Sequence, residues 1–178
     1  MERKRKYVLD ASIVAKWYAK EEGTDKALEV REQYFLDIID IILPDLILYE
    51  LPNALKYGAK LTQEEILDAL ESLLDLQIPI IMPQTSTARI ALQISFDKGI
   101  SYYDAYYVAV AKEIGFEFIH ADKKLQVRVK DLGYVKMLNE ICDSDSRGLY
   151  CPGFLAQMTG LTQNSTGTAN LRGKIKKK

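Results

Sequence analysis

The sequence is poor in the residues that soft metals and nucleophilic catalysts need. It contains two cysteines, Cys142 and Cys151, and one histidine, His120. The two cysteines do not form a CxxC pair, so they give no support to a zinc site, and we interpret them as free thiols. The single histidine has no nucleophile motif beside it, and the chain has no glycine-rich phosphate loop. Acidic side chains are therefore the main source of chemistry.

Long apolar segments are also missing. No apolar run approaches the ~20 residues that a membrane span needs. The run over residues 7–9 is ended by Asp10 and is too short for a secretory signal. We therefore expect a cytoplasmic protein. Its 178 residues, 48% of them hydrophobic and 28% charged, fit one domain with at most a small appendage.

Charge is unevenly divided along the chain. Residues 143–178 contain six basic and two acidic residues, whereas residues 1–142 contain 18 basic and 23 acidic ones. Residues 143–178 are also rich in Gly, Ser and Thr, so we predict a poorly ordered basic tail after a domain of residues 1–142. An acidic body binds nucleic acid poorly through its field alone, unless some carboxylates hold divalent cations that reverse the local charge.

Short apolar runs alternate with helical patterns up to residue 141. Strands are predicted over residues 7–9, 41–43, 80–82, 117–119 and 134–137. Helices are predicted over residues 25–37, 45–57, 61–76, 87–97, 103–114 and 123–132. Pro52 should kink or break its helix, because it has no backbone donor. The alternation predicts an α/β fold with a parallel sheet between helices, in which ligands bind at the carboxyl ends of the strands.

Four acidic residues occupy positions that such a sheet would bring to one edge. Asp10 ends the first strand, and Asp122 lies three residues after the fourth. Asp104 opens the helix before that strand, and Glu50 lies in the helix after the second. Converging carboxylates repel one another unless hard divalent cations are bound, and such ions can activate a water and orient a phosphodiester. These four acids are the candidate metal-binding and catalytic residues.

Each acid also has a purely structural interpretation. Asp10, Asp104 and Asp122 could each cap the N-terminus of a helix. Glu50 is harder to explain in this way. A carboxylate among apolar helical neighbours is costly unless it is paired with a cation such as lysine or bound to a metal.

The segments around these acids, taken in order, resemble the signature segments of PIN domains, and more narrowly those of VapC toxins from VapBC toxin–antitoxin modules. The segments are residues 8–12, 50–55, 101–105 and 121–125, and the resemblance covers about residues 6–141. It implies a three-layer α/β/α fold with a five-stranded parallel sheet, and a Mg²⁺- or Mn²⁺-dependent ribonuclease. Asp10, Glu50 and Asp104 match the most regular acids of the family, and Asp122 matches the fourth.

The resemblance also implies supporting residues. Ser12 matches a small hydroxyl residue two positions after the first acid, and Asn53 matches an asparagine three positions after the glutamate. Both would hold the carboxylates or a water on the metal. His120 stands where the family usually has Thr or Ser. It could bind a phosphate, tune Asp122 or pack at the strand end, and we favour packing. The tyrosines that flank Asp104 are interpreted as core or interface residues.

VapC toxins commonly form homodimers and are held inactive by an antitoxin whose tail occupies the site. The resemblance therefore implies an RNA substrate, an antitoxin partner and a second copy of the chain. The expected activity is hydrolysis of an RNA phosphodiester, which leaves 5′-phosphate and 3′-hydroxyl ends. Two alternatives stay open: an RNA-processing nuclease without an antitoxin, and a non-catalytic PIN-fold module that binds RNA or protein.

Overall fold

The sheet of this protein is parallel throughout. The computed structural model describes residues 4–141, so the predicted tail over residues 143–178 lies outside the described residues. The strands are β1 (Arg5–Leu9), β2 (Ile39–Pro44), β3 (Ile80–Ile81), β4 (Glu117–His120) and β5 (Val135–Met137). They follow the order β3-β2-β1-β4-β5, and every neighbouring pair is parallel. The predicted five-stranded parallel sheet is confirmed.

Helices connect the strands and cover both faces of the sheet. They are α1 (Ala11–Val14), which a 3-10 turn (Ala15–Trp17) extends, α2 (Thr24–Phe35), α3 (Ile47–Asn53), α4 (Gln63–Asp75), α5 (Thr85–Lys98), α6 (Tyr102–Ile114) and α7 (Lys123–Val129). Their ends follow local signals. Thr62 and Glu65 form a capping box at the start of α4. Gly99 and Gly115 end α5 and α6 in the left-handed conformation, with φ of 62° and 71°.

Alternate side chains of the sheet pack into two separate layers of core. Tyr7, Leu9 and Ile119 belong to a buried cluster with residues of α1 to α4. Val8 and Phe118 belong to a second cluster with residues of α5, α6 and α7. This period of two follows from the pleat of a strand, and burial on both faces explains why the strands read as continuous apolar runs. The three-layer α/β/α architecture is confirmed.

Pro52 changes the type of helix that follows Glu50. Because proline has no backbone N–H, it cannot complete the α-helical ladder. The α-helical pattern ends at Asn53, and the chain continues as a π-helix over Ala54–Ala59. Lys60 closes this π-helix in the left-handed conformation, with φ of 57°. The predicted disturbance at Pro52 is therefore a wider helical turn.

Among residues 4–141, no helix combines the length and the apolar character needed to cross a membrane.

Candidate active site

The carboxyl ends of three strands carry an aspartate. Asp10 follows β1 directly, Asp45 follows β2 directly, and Asp122 lies two residues after β4. Backbone hydrogen bonds fix the first two positions. The Asp10 N–H donates to the Ile119 carbonyl at 3.0 Å, and the Asp45 N–H donates to the Ile81 carbonyl at 2.9 Å. Parallel pairing thus gathers acidic residues at one edge of the sheet.

Asp10 is held in place by Ser12. Its Oδ2 accepts the backbone N–H of Ser12 at 3.3 Å and also accepts the Ser12 hydroxyl. The Ser12 hydroxyl oxygen accepts the backbone N–H of Ala121 at 3.3 Å, which links the ends of β1 and β4. Burial raises the pKa of Asp10, the bonds from Ser12 and the nearby His120 lower it, and the Asp104 carboxylate raises it. Asp10 therefore caps α1 and also faces other acids.

Glu50 and Asp104 lie within electrostatic reach of Asp10. Burial raises the pKa of Glu50, the Tyr107 hydroxyl lowers it, and the carboxylates of Asp10 and Asp104 raise it further. All three acids are half-buried. Within residues 4–141, no lysine or arginine forms an ion pair with any of them. Their mutual repulsion is therefore not offset by an ion pair with a lysine or arginine of the described chain.

Asp104 is also part of the start of α6. Its backbone N–H donates to the Ser101 hydroxyl oxygen at 3.0 Å, and its Oδ2 accepts the Ser101 hydroxyl at 2.7 Å. Ser101, and not Asp104, is thus the N-cap of α6, and the Asp104 carboxylate accepts the Ser101 hydroxyl through one oxygen instead of completing a capping box. The structural and the electrostatic roles are compatible.

Asp122 stands apart from the other three acids. It is exposed and caps α7, where its Oδ1 accepts the N–H of Lys124 at 2.6 Å and that of Leu125 at 3.3 Å. It does not appear among the charges that shift the pKa of Asp10 or Glu50. Asp10, Glu50 and Asp104 thus affect one another electrostatically, whereas Asp122 is an exposed helix cap with no such effect on Asp10 or Glu50.

His120 is packed inside the fold. It is fully buried and stacks on Phe118, with ring centroids 5.4 Å apart. Its Nε2 lies 3.0 Å from Oε1 of Gln126, while its Nδ1 has no hydrogen-bond partner within residues 4–141. Its effect on the pKa of Asp10 places it near that carboxylate. The structure agrees with the packing interpretation and adds proximity to Asp10.

Asn53 lies beside the acidic group without bonding to it. It is exposed, and within the described part of the chain its amide makes no hydrogen bond with a carboxylate. It lines a cavity next to Ser12. Its predicted role of holding a carboxylate or a water on the metal therefore stays a prediction.

Two further residues at this edge, Asp45 and Tyr107, were not assigned to the site from the sequence. The Tyr106 hydroxyl donates to Oδ1 of Asp45 at 3.1 Å. Tyr107 is buried, and the Asp10 and Glu50 carboxylates add to the effect of burial in raising its pKa. The signals were available. Asp45 follows a strand directly, as Asp10 does, and Tyr107 lies one helical turn after Asp104.

The donor set fits a hard divalent cation by its chemistry. Carboxylate oxygens are the ligands that Mg²⁺ prefers, and a bound cation would offset both the burial and the repulsion of Asp10, Glu50 and Asp104. Within residues 4–141, no three Asp, Glu, His or Cys side chains converge closely enough to ligate one ion in their present rotamers. Hydroxyls of Ser12 and Ser101 engage two of the carboxylates. The acids that would hold an ion interact electrostatically, but their side chains do not converge on one point where an ion could sit.

Comparison with known proteins identifies the family. The model of the PIN domain family matches residues 7–131, a range that contains all four candidate acids. This chain belongs to the PIN domain family. Among curated proteins, Ribonuclease VapC3 of Pyrobaculum aerophilum is 29% identical to this PIN domain over 124 residues, which cover 67% of this chain and 92% of the relative.

Solved structures of toxin–antitoxin systems share the fold of this PIN domain. A toxin–antitoxin complex from Klebsiella pneumoniae matches with a TM-score of 0.56 at 13% identity, over 74% of this chain and 97% of that one. DNA-bound VapBC from Salmonella typhimurium matches with a TM-score of 0.53 at 18% identity, over 75% of this chain and 98% of that one. At these identities the similarity shows the fold alone.

Proposed function

We propose that this PIN domain is a Mg²⁺- or Mn²⁺-dependent endoribonuclease and the toxin of a VapBC-type toxin–antitoxin pair. One observation carries the proposal: Asp10, Glu50 and Asp104 are half-buried together at the carboxyl edge of the sheet. Keeping such a group is costly unless it serves a cation. The curated relative named a ribonuclease gives the polymer that the site would cut.

Each residue of the proposed site has a distinct part. Asp10, Glu50 and Asp104 would hold the ion, and Asp122 would join them through Oδ2, which the cap of α7 leaves free. A cation bound by these residues would supply positive charge to stabilise the negative charge that develops on the phosphodiester, and it would lower the pKa of water. Hydrolysis of the bond between phosphorus and the 3′ oxygen then leaves 5′-phosphate and 3′-hydroxyl ends.

Three further residues would support these acids. Ser12 orients the Asp10 carboxylate through its hydroxyl and its backbone N–H. His120 is fixed by its stacking on Phe118, and it is proposed to stabilise the ionised Asp10 carboxylate, whose pKa it lowers. Asn53, at the cavity next to Ser12, is proposed to reach the site when the substrate is bound. Groups of this kind orient ligands and typically affect activity less than the ligands themselves.

A cleavage assay tests the proposal. The full chain is incubated with a mixture of cellular RNAs and Mn²⁺ or Mg²⁺, and a parallel sample contains excess EDTA. We expect cleavage with either metal, none with EDTA, and products with 5′-phosphate ends by end-labelling. If broad screening finds no metal-dependent cleavage, the nuclease proposal fails and the non-catalytic PIN-fold module becomes the better account.

Tyr107→Phe tests the buried hydroxyl beside Glu50. The Tyr107 hydroxyl has no hydrogen bond of ordinary geometry within residues 4–141, so its removal should not lower the melting temperature. Because this hydroxyl lowers the pKa of Glu50, its loss should reduce kcat about 10- to 100-fold, the range for groups that support metal ligands.

Tyr134→Phe is the matched control for that variant. The Tyr134 hydroxyl is also buried and unpartnered within the described residues, but the acid that affects its pKa is Asp131, outside the acidic group. It should keep wild-type activity. Equal activity of the two variants would show that the Tyr107 hydroxyl has no part in the site.

The proposed partners are an antitoxin and a second copy of this chain. Leu92 and Phe96 lie one helical turn apart on α5 and are 50% and 84% exposed, which suits an apolar contact between copies. Solved structures of the same fold include toxin–antitoxin complexes. Native mass measured by light scattering, alone and after co-expression with the product of a neighbouring small gene, tests both partners. A chain that cuts RNA but has no such partner would be an RNA-processing nuclease.

A further inference from the structure

A cavity of about 320 Å³ opens beside the acidic group. It lies between the segment after β1 and the π-helix that Pro52 produces. Small residues make up much of its lining: Ala15, Ala19, Ala54, Gly58 and Ala59. Ser12 also lines it, and the Ser12 hydroxyl contacts the Asp10 carboxylate. The cavity therefore adjoins the proposed catalytic site through Ser12, although none of the four candidate acids lines it.

An exposed aromatic ring forms one wall of this cavity. Tyr57 lines it and is 70% exposed, and the Lys56 ammonium lies 5.0 Å from the centroid of its ring. Because the Tyr57 ring is mostly exposed, it buries little apolar surface and contributes little to the stability of the fold. An exposed aromatic face beside a cation is, however, a suitable platform for a nucleobase and its phosphate.

Basic side chains make the cavity attractive to a polyanion. Lys16, Lys20 and Glu21 line it. Lys16 is buried and lies 3.3 Å from Glu21, while Lys20 is exposed and has no ion pair within residues 4–141. Lys56 adds a further positive charge at Tyr57. The balance of these charges is positive, in contrast to the acidic edge next to it.

We propose that this cavity is a subsite for one unpaired nucleobase of the RNA strand, that of the nucleotide next to the scissile phosphate. The assignment rests on the proposed function for the identity of the polymer. The small lining residues leave room for a planar ring, Tyr57 supplies a stacking face, and Lys20 and Lys56 face the backbone charge. Because a base inside a duplex cannot enter the cavity, the substrate is single-stranded at the cut.

Binding measured without cleavage tests this subsite. The probes are a fluorescent oligoadenylate, the same strand in a duplex, and an abasic ribose-phosphate strand of equal length. Anisotropy is recorded with Mg²⁺ on the Asp10→Asn background, so that strands stay intact. We expect the duplex and the abasic strand to bind about 10-fold or more weakly than oligoadenylate, as expected for loss of base stacking.

Substitutions of lining residues then test whether the base binds in this cavity. Tyr57→Ala should bind oligoadenylate about as weakly as the abasic strand and should no longer distinguish the two, whereas Tyr57→Phe should retain the difference. Gly58→Phe should also lose it, because Gly58 lines the cavity and a side chain added there meets no atom within 4 Å, so the large ring adds bulk at the cavity without displacing the fold. Gly133→Phe is the matched control, since Gly133 is equally open but lies away from the cavity.

The outcomes separate the subsite from the nuclease proposal. If Tyr57→Ala and Gly58→Phe bind oligoadenylate as tightly as their parent, or if the duplex binds equally well, the subsite is refuted even when the wild-type chain cuts RNA. If base-dependent binding is lost in these variants while the wild-type chain cuts nothing, the subsite stands and the nuclease proposal fails. Loss of antitoxin binding with unchanged RNA binding would assign the cavity to a protein side chain and overturn the inference.

Discussion

Asp10→Asn is expected to reduce RNA cleavage by at least about 100-fold, the loss typical of removing one group that stabilises a transition state. Asp10 lies at the centre of the proposed site, where it affects the pKa of Glu50 and Tyr107 and is itself affected by Asp104. An amide oxygen can still accept the hydrogen bonds from Ser12, but the charge that would hold a divalent ion is lost. The effect should appear in kcat at saturating Mn²⁺.

The same substitution should leave the fold intact. Because burial raises the pKa of Asp10, its ionised form is disfavoured in the folded chain, and a neutral amide should not lower the melting temperature. Asp68→Asn is the control, since Asp68 is an exposed residue of α4 and has no ion pair within residues 4–141. Wild-type cleavage by Asp10→Asn would refute the proposed site, and loss of cleavage together with unfolding would require Asp10→Ser for a fair test.

Addition of a divalent cation is the second large effect that we expect. A cation at 100 times its Kd stabilises the state it binds by about 2.7 kcal/mol, which corresponds to a rise of roughly 5–10 °C in the Tm of a domain this size. The rise should occur with Mg²⁺ or Mn²⁺, should disappear with EDTA, and should be much smaller in Glu50→Gln. Differential scanning calorimetry measures it directly. A melting temperature that is independent of divalent ions would contradict the metal site.

The pH dependence of stability tests whether folding raises the pKa of Glu50. The folded chain raises the pKa of Glu50, so the folded state binds a proton more tightly than the unfolded state does. Without metal, this group favours folding below its unfolded pKa of about 4.3 and loses that contribution as pH rises through its higher folded pKa. Gln does not titrate. The stability of Glu50→Gln relative to wild type, measured by urea unfolding in EDTA, should therefore increase over this interval, and a decrease would contradict the described surroundings of Glu50.

Much of the fold could be predicted from the sequence, because the local signals for strands and helix ends agree with the pattern of burial. The strand that ends at Asp10 and the strand that ends before Ala121 are short apolar runs, and a sheet buried on both faces requires such runs. The capping box at Thr62 and the glycine at Gly99 placed helix ends to within a few residues. These signals depend on neighbours in sequence, so no tertiary information was needed.

The candidate site could be predicted from the sequence only in part. Asp10 and Glu50 were found, because an acid at the end of a strand or on an apolar helix is unusual. Tyr107 was read as a core residue, since a buried tyrosine and a tyrosine beside carboxylates have the same helical spacing. Asp122 had two interpretations of similar weight, and its sequence position suits a helix cap and a metal ligand equally well.

The sequence by itself determined the parallel sheet, the family resemblance and the acids that the carboxyl edge would collect. Only the tertiary structure decided that Asp10, Glu50 and Asp104 affect one another while Asp122 caps α7 and is exposed. It also showed that the π-helix after Pro52 helps to form a cavity beside Ser12. The physical reason is that pKa shifts and cavities depend on distances between side chains far apart in sequence, and these distances exist only after the two core layers have packed on the sheet.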